Sequence, residues 1–121
     1  MAASKRSLWA LVLLVLAVAS ASQWWGAQRE ARLGSLLAAL ARPGDIQMLS
    51  STTCAYCAAA RAWMAEHQVA FSECFIETDR ECAFRFEAVR GQGTPVLLVR
   101  GQVMLGFDAE RVARALSVAR G

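Results

Sequence analysis

The sequence predicts an α/β domain over residues 44–121: a four-stranded mixed sheet flanked by helices, in the order βαβαββα. Three observations predict it. Short apolar runs alternate with longer stretches free of Gly and Pro, the pattern of strands joined by crossover helices. Val96-Leu97-Leu98-Val99 is a continuous apolar run suited to a strand covered on both faces, and Arg100-Gly101-Gln102 then turns the chain into Val103-Met104-Leu105, which makes a hairpin. Finally, Val112, Ala115, Leu116 and Ala119 fall at i, i+3, i+4 and i+7, the inner face of a last helix.

The chain divides before that domain begins. Apolar residues number 18 in the first 25 positions and 50 in the remaining 96, so residues 1–25 are a different kind of segment. Lys5 and Arg6 precede Leu8 to Ala19, twelve apolar residues without a break, and Ala19 and Ala21 offer an A-x-A-like cleavage site. These are the three regions of a secretory signal peptide. An uncleaved signal anchor is the rival reading. Residues 8–27 number 20, enough to span a bilayer at about 1.5 Å per residue, with Trp24 and Trp25 as interfacial anchors. In both readings Lys5 and Arg6 stay on the cytoplasmic side, so the rest of the chain is exported, and the expected compartment is the bacterial periplasm.

Residues 26–43 read as a helical linker or extra helix. Leu33, Leu36, Leu37 and Leu40 form one stripe, and Pro43-Gly44 stops it. The stripe fits a helix packed on the domain and equally a stalk continuing an anchor.

Within the domain, Asp45 to Ser50 reads as a strand between Pro-Gly and Ser-Ser-Thr-Thr. Cys54 to His67 is Ala-rich and reads as a helix beginning at the cysteines. Val69 to Ile76 is a second strand. Thr78-Asp79-Arg80-Glu81 matches a capping box, with Phe84, Ala88 and Val89 predicted to face inward and Arg90-Gly91 ending the helix. After the hairpin, Asp108 is the predicted cap of the last helix.

Charge excludes one class of function. Net charge is +3, from 13 basic and 10 acidic residues; without Lys5 and Arg6 the balance is 11 against 10. A protein that neutralises phosphates needs a clustered basic surface. Here the arginines are scattered singly, so no nucleic-acid partner is expected.

The chemistry concentrates in the cysteines at 54, 57, 74 and 82. Cys54-Ala55-Tyr56-Cys57 stands where a strand ends and a helix begins, a context that makes a bare C-x-x-C specific. Helix N-terminal amides and the macrodipole stabilise a thiolate there. Cys54 is the expected nucleophile, exposed at the helix start, and Cys57, one turn further in, the resolving thiol. Other readings remain open at this point. A static bridge in an inert, membrane-tethered interaction domain is one. Copper(I) held by both thiolates, with Met48 as a further soft donor, is another. Zinc would need C-x2-C-x16-C-x7-C, whose last spacing is unlike a zinc knuckle, and no metal ligand set is assigned.

Cys54-Ala55-Tyr56-Cys57, Gly93-Thr94-Pro95-Val96 and Gly106-Phe107-Asp108, in that order, resemble the glutaredoxin branch of the thioredoxin superfamily. The resemblance covers Asp45 to about Ala119. It implies a thioredoxin-like fold, a cis Thr94–Pro95 bond packed beside Cys54, and thiol–disulfide exchange with a disulfide- or dithiol-containing protein. It also implies that Tyr56, Thr94, Pro95 and Asp108 contribute to substrate binding, the Thr94 backbone pairing with the bound peptide as a short added strand. No resident cofactor is implied; glutathione is the candidate co-substrate. Three departures bear on glutathione: Ala55 stands where Pro is common, Ser51 where a Lys often meets a glutathione carboxylate, and Gly106-Phe107 where glycine is paired.

Cys74 and Cys82 are the structural disulfide candidate. Pairing them leaves the exchange motif free, and an exported chain meets an oxidising compartment. The alternative is two buried free thiols. His67, at the end of the first domain helix, reads as structural, and Trp63 and Met64 as packing residues.

Overall fold

The computed structural model describes residues 4–118. The chain divides into two units, Met1–Arg32 and Leu33–Gly121. One helix, α1 (Lys5–Leu40), contributes to both. In the first unit it presents apolar side chains all round: Leu8, Trp9, Leu13, Val15, Trp24 and Trp25 are each more than half exposed. This helix is long and apolar enough to cross a membrane.

The second unit holds β1 (Ile46–Ser50), α2 (Ala55–Glu66), β2 (Ser72–Phe75), α3 (Arg80–Ala88), β3 (Val96–Val99), β4 (Gln102–Leu105) and α4 (Ala109–Val118). Strand order is β2-β1-β3-β4, with β1 and β2 parallel and the other two pairs antiparallel. This is the mixed sheet the sequence predicts. Ala119, the last residue of the predicted α4 stripe, lies outside the described residues.

The main core lies between the sheet and its helices. Ile46, Met48, Leu97 and Val99 from the strands meet Met64 of α2 and Val112 and Leu116 of α4, all fully buried. The final turns of α1 belong to the same core. Leu37 is fully buried in it and Leu40 packs against it, whereas Leu36 is 45 % exposed, so one of the four leucines of the stripe faces out. Gly34 is buried because a Cβ there would run into the His67 ring at the end of α2. His67 is the C-cap of α2, and its ring lies 4.3 Å from that of Trp63, tilted by 45°, a structural position.

Several elements differ from the sequence reading for identifiable reasons. Strand β2 starts at Ser72 rather than Val69, because Val69 completes the end of α2: its N–H donates to Met64 O at 2.9 Å and Gln68 takes a positive φ of 58°. The cap of α3 is Asp79, not Thr78; its carboxylate accepts from the N–H groups of Glu81 and Cys82. Phe84 is 71 % exposed and Ala88 is exposed, contrary to the predicted inward face. Val89 does face inward as predicted, and it is joined there by Cys82 and Phe86, at i, i+4 and i+7, on the side of α3 that the disulfide from Cys74 holds to the sheet.

Arg100 closes the far end of the sheet. Its guanidinium donates to Leu116 O at 2.7 Å, to Leu40 O at 3.5 Å and to Asp45 Oδ2 at 3.0 Å, so one side chain serves the C-terminal carbonyls of two helices. That guanidinium, with a further bond from the Arg42 N–H, holds the Asp45 carboxyl below the usual range.

Candidate active site

Strand β1 ends at Ser50 and a three-residue loop leads to Cys54, the N-cap of α2. In that position its Sγ accepts the Cys57 N–H at 3.1 Å, so the sulfur sits on an otherwise orphaned amide at the positive end of the helix. Cys54 and Cys57 are joined as a disulfide with Cα atoms 5.2 Å apart. Cys54 is half-buried; Cys57 is fully buried. Cys54 is therefore the more accessible of the two.

The opposite wall is the turn before β3. The Thr94–Pro95 bond is cis, Pro95 is buried, and the Thr94 carbonyl oxygen lies 3.4 Å from Cys54 Sγ. Pro95 O accepts the Gly106 N–H at 2.8 Å, which fixes the end of β4 against this turn. Tyr56, 80 % exposed, flanks the pair on the outside.

From Thr94 and Pro95 a groove of about 540 Å³ runs between Tyr56 and Trp63 of α2 and Leu105 and Phe107 beyond β4. The Trp63 and Phe107 rings meet at 5.3 Å and form one of its walls. The structure thus brings Cys54, Cys57, Tyr56, Thr94 and Pro95 together. Asp108 does not join them as a groove residue. Its carboxylate accepts the N–H groups of Glu110 and Arg111 at 3.0 and 3.3 Å and caps α4, as the sequence predicts for its helix role.

Two carboxylates support the site from below. Glu73 on β2 accepts a bidentate pair from Arg61 of α2 at 2.6 and 2.8 Å and the Ser50 hydroxyl at 2.7 Å, tying α2 to β2 and to the end of β1. Burial pushes the Glu73 carboxyl up, but the bonds from Arg61 and Ser50 outweigh it and hold the group below the ordinary range. Glu77, just after β2, accepts the Ser51 hydroxyl and, at 3.2 Å, the Thr52 N–H. The Ser51 hydroxyl bond is the main reason its carboxyl also titrates low. Ser51 O in turn accepts the Cys54 N–H at 3.3 Å, so Glu77 grips the loop that aims Cys54.

Cys74 and Cys82 form a second disulfide between β2 and α3, with Cα atoms 6.0 Å apart. It closes the segment that carries Glu77. Met48, the further donor considered for copper(I), is fully buried in the main core.

Residues 46–104 match the glutaredoxin family. Over that stretch the domain is similar to glutaredoxins, and its fold is thioredoxin-like. Among solved structures, a mutant of the thioredoxin-like protein BC3987 is similar at 21 % identity and a TM-score of 0.54, over 62 % of this chain and 97 % of that one. A glutaredoxin from Archaeoglobus fulgidus is 22 % identical with a TM-score of 0.48, over 64 % of this chain and 87 % of that one. No curated protein sequence matches. The first likeness agrees with the fold, and the family match with a thiol–disulfide redox function for the glutaredoxin-like domain.

Sequence reasoning missed Glu77 and the groove. Glu77 is 26 positions from Ser51, and only the parallel register of β1 with β2, which pairs Ser50 with Phe75, brings the two loops together. Phe107 had a signal: it is the bulky residue that replaces the second glycine.

Proposed function

We propose that this chain is an exported thiol–disulfide oxidoreductase, held by α1 at a membrane or released from it by cleavage, working on the periplasmic side. Lys5 and Arg6 ahead of an apolar helix support export. Cys54 is the nucleophile and Cys57 the resolving thiol. In the reducing direction the Cys54 thiolate attacks one sulfur of a partner disulfide, forming a mixed disulfide and expelling the other partner sulfur as thiolate. Cys57 then attacks Cys54 Sγ, restores the Cys54–Cys57 bond and releases the second partner thiolate. Two electrons pass from the pair to the partner. In the oxidising direction a partner thiolate attacks Cys54 Sγ and Cys57 leaves. The backbone at Thr94 receives the partner segment beside that sulfur, and Tyr56 and Pro95 border it. No resident cofactor enters these steps.

The observation that carries this reading is the asymmetry of the pair: Cys54 half-buried on a helix N-terminal amide, Cys57 fully buried one turn in. A Cys57→Ser chain tests it. Mixed disulfides should accumulate through Cys54 and vanish in Cys54→Ser. An inert Cys54, with no adduct from protein or small disulfides, contradicts the proposal.

A further inference from the structure

The groove beside the exchange site carries no charged side chain among its lining residues. Its walls are the Trp63 and Phe107 rings, and its rims, Tyr56 and Leu105, are 80 % and 61 % exposed. Large apolar side chains left this open beside a reactive disulfide suit a ligand that covers them. The charge fixed at the exchange loop is negative: Glu77, bound to Ser51 and Thr52, with Ser51 O accepting the Cys54 N–H.

We propose that the substrate is an extended protein segment whose exchanging cysteine is followed by a large apolar side chain, and that the apolar groove and Glu77 select it over glutathione. This deepens the exchange reading and rests on it. Glutathione has both ends of its tripeptide occupied by carboxylates, and either one placed in the groove loses water against walls that carry no cationic side chain. Near the loop, the Glu77 carboxylate repels it. An aromatic or branched side chain next to a protein cysteine meets neither obstacle and fills space that the Trp63, Leu105 and Phe107 side chains already shape.

The test uses the full chain, kept reduced by dithiothreitol, with four substrates: glutathione disulfide, a small neutral disulfide, and two otherwise identical uncharged peptide disulfides with Phe or Ala after the cysteine. The Phe peptide should exceed both the Ala peptide and glutathione disulfide in kcat/KM by about tenfold or more. Leu105→Ser should narrow the Phe-to-Ala ratio, and Glu77→Gln should raise the rate with glutathione disulfide about threefold relative to the neutral disulfide. Glutathione disulfide matching the Phe peptide, or ratios indifferent to both substitutions, overturns the proposal while leaving exchange intact. Failure with every substrate, the small neutral disulfide included, overturns the exchange reading and this inference with it.

Discussion

Removing the Cys74–Cys82 bridge should cost the domain much of its stability. The bridge closes a loop of nine residues, its partners being eight apart, and loop-closure entropy for that length gives about 2.6 kcal/mol. Cys82 is only 2 % exposed and packs with Leu49 and Val96, so replacing its sulfur with an Ala methyl forfeits about 1 kcal/mol of packing in addition. For the Cys74→Ala, Cys82→Ala chain the loss is about 3.5 kcal/mol, a fall in Tm of about 14–28 °C for a domain of this size. Thermal unfolding of the full chain in mild detergent, followed by near-ultraviolet circular dichroism, measures it. Either single variant already opens the loop, so each should lose most of what the double variant loses. Two small losses that simply add, or a Tm within about 3 °C of the parent, would refute the reasoning.

Acid stability should depend on Glu73. Its folded pKa is lowered, so the stability it contributes is present above the ordinary carboxylate value and is lost as pH falls through the folded one. Glu73→Gln should lower stability near pH 7 by about 1.5 kcal/mol, because the Arg61 guanidinium stays partly in water, and should flatten the fall in urea midpoint below about pH 4.5. Asp45 and Glu77 titrate in the same sense and retain the remainder of that fall. Leu37→Ala should destabilise the domain by about 2–5 kcal/mol, measured by the same urea titration, because Leu37 is fully buried in the main core. A change below about 0.5 kcal/mol would mean that the end of α1 is a tether only.

What the sequence made legible follows from the range of the interactions involved. The β3–β4 hairpin and α4 are specified by neighbours in the chain: an apolar run, a turn with Gly101 at φ 86°, and Asp108 bonding to amides two and three residues on. The C-x-x-C position was equally local. The inner face of α3 was not, because a bond from Cys74 on another element rotates Cys82 inward and Phe84 out. Nor was the fate of the leucine stripe in α1, since an apolar face shows only that something must cover it. The covering surface is recognisable from the close approach of Gly34 to His67, a pair 33 positions apart. The groove likewise gathers residues from α2, the turn before β3 and the end of β4, and no single stretch of sequence announces it.

The central claim is that Cys54–Cys57 is an exchange pair reached through Cys54, and a redox titration with each thiol mapped by mass spectrometry tests it most directly. The folded full chain is equilibrated in dithiothreitol buffers and then alkylated briefly. The account predicts that the pair opens reversibly between about −270 and −120 mV, the span of known exchange proteins, with Cys54 alkylated ahead of Cys57 and Cys74–Cys82 still closed. A Cys54–Cys57 bond that stays shut until the domain unfolds, or Cys57 labelled first, would contradict it.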